Sequence, residues 1–133
     1  MVCITKKHLQ EIIEHCKKGY PGESCGILAG KNGKITKVYQ MANTSENPGT
    51  CYFMDPKEQL KVFKEIRNAG LEMLGIYHSH IGVQAYPSKR DCEMAFYPEA
   101  SYVIVSLQDF NKPETRAFKI SEGKIEEERL IVK

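Results

Sequence analysis

At 133 residues, 41% hydrophobic and 27% charged, the chain has the composition of one globular domain with a core of its own. A formal charge of +2 with no Lys/Arg run offers nothing to nucleic acid or an anionic membrane, and no segment nears the roughly 18 to 20 apolar residues of a bilayer span. Five scattered cysteines without a C-x-x-C pair indicate neither a disulfide framework nor a thiolate zinc site, and with no apolar leader in MVCITKKHLQ the expectation is a protein of the reducing cytoplasm.

Thr5 reads as an N-cap, and Leu9, Ile12, Ile13 and Cys16 recur at i, i+3, i+4, i+7, the spacing of an amphipathic helix ending near residues 19–22. SCGILAG (24–30) then reads as a buried strand, 31–33 as a turn and KITKVYQMA (34–42) as an alternating strand. Residues 43–50 read as a loop; Asn43, Thr44 and Ser45 formally make a glycosylation sequon there, read here as polar loop chemistry. A brief strand CYFM (51–54) precedes Asp55, Pro56 and Glu58, the N-cap, N1 and N3 residues of a second helix to about Asn68, with Leu60, Phe63 and Ile66 as its apolar stripe. LEMLGIYHSH (71–80) reads as a strand and Ser88 as the opening of a third helix closed by Tyr97 and Pro98. Strands at 101–107, 115–120 and 124–132 follow. The order predicts an α/β fold, a mixed central sheet with flanking helices.

HSHIGVQAYPSKRD (78–91) carries the chemistry. On a strand, side chains at i and i+2 share a face, so His78 and His80 project together with Cα atoms roughly 6.5 Å apart and can reach one ion. The turn that follows can return the next helix beside them, bringing Asp91 within reach. Two imidazoles and one carboxylate leave the fourth position of tetrahedral Zn²⁺ open, the pattern of a catalytic site. Ser88-x-x-Asp91 is also a capping box, and the two roles are compatible. Ser88 can accept a backbone N–H and still donate to a substrate oxygen, while Asp91 can give one oxygen to the metal and the other to the helix N–H. Spacing leaves the general base open: Glu58, Glu93 and Glu99 are equal candidates.

His8, Glu11 and His15 share a helical face and form a conceivable second metal site, although a solvated face is the simpler reading. Cys25 and Cys92 lack the local context of a nucleophile and read as small packed residues. H-x-E and P-C-x-x-C are missing, which excludes a zinc nucleobase deaminase.

H-x-H-x7-S-x2-D at His78, His80, Ser88 and Asp91, with PGESCGILAG, YFMDP, GIYHSH, AYPS and RAF elsewhere, resembles the JAMM or MPN+ metalloproteases, most closely their small prokaryotic members. That resemblance implies a cytidine-deaminase-like architecture and places the catalytic base at Glu23, in GESCG. It implies amide hydrolysis by zinc-activated water, with Ser88 stabilising the oxyanion, after the C-terminal Gly-Gly of a ubiquitin-like, sulfur-carrier-type protein. The alternative within the same resemblance is a non-catalytic MPN scaffold or binding module, whose ligand sets are typically degraded; here each position is intact. Ile81 departs from the family's usual Pro, implying a less restrained loop after His80. The substrate tail is expected to add to an exposed strand edge near the metal.

Overall fold

The computed structural model describes residues 1–133. In chain order its elements are β1 (Val2–Ile4), α1 (Lys6–Gly19), β2 (Cys25–Lys31), β3 (Lys34–Met41), α2 (Pro56–Asn68), β4 (Glu72–His80), α3 (Lys89–Glu93), β5 (Ser101–Ser106), β6 (Glu114–Ser121), β7 (Lys124–Glu128) and β8 (Leu130–Val132). The strands form one mixed sheet in the order β7-β6-β5-β4-β2-β3-β1-β8. β4 and β5 run parallel, and residues 81–100 with α3 supply the crossover that a parallel pair requires.

Alternation along the central strands divides the core in two. Cys25, Ile27, Ile76, Tyr102 and Ile104 face α2, where Val62 and Ile66 cover them; Leu28, Tyr77, Val103 and Val105 face α1, under Ile12 and Cys16. Both helices start where the caps predict: Thr5 Oγ1 accepts from His8 N–H, and the Asp55 carboxylate accepts from Lys57 N–H. The stripe of α2 is rotated from expectation. Leu60 is 55% exposed and Val62 is buried in its place, because six residues at 100° each leave Leu60 well off the face of Ile66.

Four other segments differ from the sequence reading. MVCI contains a strand, β1, too short to carry a period, and it is held between β3 and β8. CYFM forms no strand and joins no sheet. The third helix stops at Glu93 rather than near Tyr97. The C-terminal strand breaks at Arg129: β7 pairs with β6 at one edge of the sheet, and β8 pairs with β1 at the other. One residue separates these halves, so the sheet must curl until its edges meet; Arg129 C=O accepts from Val2 N–H at 3.0 Å. No helix is long and apolar enough to cross a membrane.

Gly26 lets Tyr77 lie across β2, since a Cβ there would stand 2.2 Å from the ring. Gly26→Ala is expected to destabilise the fold by about 1–3 kcal/mol through overpacking, read as a lowered urea midpoint.

Candidate metal centre

β4 is buried from Gly75 to His80 and ends at the site. His78 and His80 project on the α2 side, as alternation requires, with their Nε2 atoms 3.2 Å apart. Asp91 Oδ2 lies 3.2 Å from His78 Nε2 and 2.9 Å from His80 Nε2. A tetrahedral zinc site with bonds of 2.0–2.1 Å has ligand–ligand edges of about 3.3–3.4 Å, so this triangle needs only a small expansion to hold the ion. The donor set, two imidazoles and a carboxylate, suits zinc equally well.

The surrounding bonds orient these ligands. His80 Nδ1 donates to Gln84 C=O at 2.8 Å, which fixes the hydrogen on that nitrogen and turns Nε2 inward. His78 is stacked on Tyr52, ring centroids 4.5 Å apart and planes 24° from parallel. Asp91 is held by the predicted capping box, its N–H donating to Ser88 Oγ at 3.0 Å and Ser88 N–H donating to Oδ2 at 2.9 Å. The expected division of its oxygens is not seen: Oδ2 alone faces both histidines and the cap. All three contacts therefore converge on one carboxylate oxygen. Ser88 Oγ accepts the cap bond and is exposed, so its hydroxyl hydrogen is free to donate outward.

Burial alone would raise Asp91, but its hydrogen bonds to His78 and His80 hold it far below the ordinary carboxylate range. Burial alone would lower His80, and the bonds to Asp91 and Gln84 outweigh it, leaving the imidazole above its ordinary value.

Glu23 lies just before β2, whose pairing Cys25↔His78 brings it to the same end of the sheet. The residue is buried and its Oε1 has no partner in the chain. Burial pushes its carboxyl up to about 7; the charge of Asp91 adds to the rise and that of His80 opposes it. A buried carboxylate in electrostatic contact with the cluster and free of bonds can exchange a proton near neutrality.

Two contributors escaped the sequence reading. Tyr52 had only its place in YFMDP to mark it. Asn43 uses its whole amide: Nδ2 donates to Glu23 C=O at 2.9 Å and Cys51 C=O at 3.1 Å, and Oδ1 accepts from Ser45 and Phe53 N–H. That makes it the tie of its loop. The turn after His80, lacking the family's Pro, is pinned by the Gln84 bond and by Ser106 Oγ donating to Val83 C=O at 2.6 Å. Glu58, Glu93 and Glu99 are not buried. The conceivable second site is not assembled: His8 pairs with Glu11 at 3.2 Å, whereas His15 Nδ1 turns to the Tyr77 hydroxyl at 2.6 Å. Cys25 is buried and its thiol is pushed up to about 12, chiefly by burial, as befits a packed residue.

Residues 5–121 match the model of the prokaryotic homologs of the JAB domain. The CysO-cysteine peptidase of Mycobacterium tuberculosis is 38% identical over 123 residues, 91% of this chain and 84% of the relative. A desampylase of Pyrococcus furiosus is 38% identical over 112 residues, 83% of this chain and 76% of its own. The solution structure of a Desulfitobacterium hafniense protein superposes with a TM-score of 0.90 at 37% identity, covering 100% of this chain and 93% of that one. The chain belongs to the JAMM/MPN family, within the prokaryotic homologs of the JAB domain, and is a hydrolase of its peptidase kind.

Proposed function

We propose that this protein is a zinc-dependent peptidase hydrolysing the amide bond after the C-terminal Gly-Gly of a ubiquitin-like, sulfur-carrier-type protein. The observation that carries the reading is the triangle of His78, His80 and Asp91 donor atoms, all buried and within 4.8 Å of one another, with the unpartnered Glu23 carboxylate at the same strand end. In this reading the three residues hold zinc, which supplies Lewis acidity, polarising a carbonyl and lowering the pKa of water. Glu23 takes a proton from the attacking water and delivers it to the leaving amine nitrogen. Ser88 Oγ donates to the carbonyl oxygen as negative charge develops there. No covalent intermediate with the protein is required.

Both strands that bring Glu23 and the histidines together are interior to the sheet, so neither offers an edge to the substrate tail. The segment 51–54 does. Its Cys51 C=O and Phe53 N–H are bonded to Asn43, whereas Tyr52 N–H and C=O and Met54 N–H have no partner in the chain. An extended tail can add there, beside His78, and glycine residues pass the Tyr52 ring without steric cost. Relatives named CysO-cysteine peptidase and desampylase support a carrier-protein conjugate as the substrate class. Five free cysteines support a cytoplasmic location.

The test uses a ubiquitin-like carrier extended beyond Gly-Gly by a single cysteine and, separately, joined through Gly-Gly to a lysine side chain. Cleavage of one or both at the glycine carbonyl is expected, lost with a chelator and restored by zinc. Chelator-insensitive cleavage would sink the metallopeptidase reading.

A further inference from the structure

Between the two histidines of the site stands Ser79, whose side chain points to the opposite face of the sheet. There it is wholly buried, and its Oγ accepts from the backbone N–H of Ser24 at 2.8 Å, while Ser79 N–H donates to Ser24 C=O at 3.0 Å. Its other polar neighbour is the buried thiol of Cys16 on α1. Ser24 directly follows Glu23 and lies just outside β2. Past the register pair Cys25↔His78, Ser24 stands opposite Ser79, and its N–H goes to the Ser79 hydroxyl in place of the Ser79 carbonyl that a regular ladder would use.

From the loop side, Glu23 N–H donates to Pro48 C=O at 2.6 Å and Glu23 C=O accepts from Asn43 Nδ2 at 2.9 Å. All four backbone polar groups of Glu23 and Ser24 are therefore engaged. The Glu23 carboxylate, with Oε1 unpartnered, has no comparable anchor of its own. Its placement against the cluster is set by the backbone that carries it.

We infer that Ser79 is a positioning residue for the catalytic base: its hydroxyl extends the β2–β4 pairing by one side-chain bond and so fixes Glu23 relative to His78 and His80. This rests on Glu23 being the base, as proposed above. Ser79 touches neither substrate nor ion. It couples the two segments that must stay in register, because one face of β4 carries the ligands and the other holds the strand that delivers the base. Displacements near 1 Å in a catalytic group cost on the order of 100-fold in rate, and among the four bonds that hold this backbone the Ser79 hydroxyl makes the one side-chain bond to β4.

Ser79→Ala removes one oxygen and adds no bulk. Its kcat on the extended carrier is expected to fall tenfold or more, with KM and zinc affinity within twofold of wild type. The Ser24 amide, deprived of its acceptor, should exchange with solvent at least tenfold faster by NMR, whether or not zinc is present. Ser101→Ala, an equally buried serine at the far end of β5, should leave all four readings unchanged. A Ser79→Ala enzyme with kcat within twofold of wild type, in an assay where Glu23→Gln is inactive, overturns the role of Ser79 and leaves the base assignment standing. An equal loss in Ser101→Ala overturns it too, since general loosening would then be the cause. If Glu23→Gln is as active as wild type, the base assignment fails and this role with it.

Discussion

His78→Ala is expected to bind zinc more than about 100-fold more weakly than wild type and to lose hydrolysis of the extended carrier, while keeping its fold. Changes even in groups that merely support metal ligands cost 10- to 100-fold in affinity, and here one of three donors is deleted. The fold should persist because β4 is secured by its pairing with β2 and β5, not by the cluster; circular dichroism of the metal-free variant checks this. Wild-type affinity has its own signature. A proton on His80 Nε2 competes with zinc for the same lone pair, and the bonds to Asp91 and Gln84 raise the pKa of that imidazole. Protonation favours the metal-free state, so affinity should be constant well above that pKa. It should fall as pH drops through it, roughly tenfold per unit for one displaced proton. Titration of zinc with a competing chelator between pH 5 and 8 measures the slope. A His78→Ala protein that retained zinc with wild-type affinity would place the ion elsewhere.

The local half of this site was legible in the sequence, and the distant half was not. Strand alternation is enough to put His78 and His80 on one face, and the S-x-x-D cap is enough to aim Asp91, because both devices act within a few residues. Glu23 is 55 residues before His78 and reaches it only through the antiparallel register Cys25↔His78, which no local pattern encodes. Resemblance to a family placed it. Tyr52 and Asn43 act through a loop whose geometry depends on the bonds it makes, so their types alone signalled nothing. The same limit governs the fold. Both long helices and the interior strands follow from periodicity, whereas β1 is three residues long and the break at Arg129 exists only because the sheet curls upon itself.

Glu23→Gln keeps the size and burial of the side chain and removes its capacity to take a proton. Its kcat is expected to fall between 100- and 10,000-fold, the contribution typical of a general base. Zinc content and affinity should stay near wild type, because His78, His80 and Asp91 are untouched. The pH profile supplies the sharper test. In the metal-free protein burial pushes the Glu23 carboxyl up to about 7, and a nearby cation favours the ionised form and draws the value down again. Wild-type kcat/KM should therefore rise with pH along a limb lying below 7 and level off once Glu23 is ionised. In Glu23→Gln that limb should vanish, leaving any residual rate flat where the wild type climbs. Persistence of the limb at wild-type height would require another base. The only other buried acid is Asp91, held ionised by two imidazoles and already bonded to them; a carboxylate committed in that way cannot also accept a proton from water without releasing the histidines that define the site.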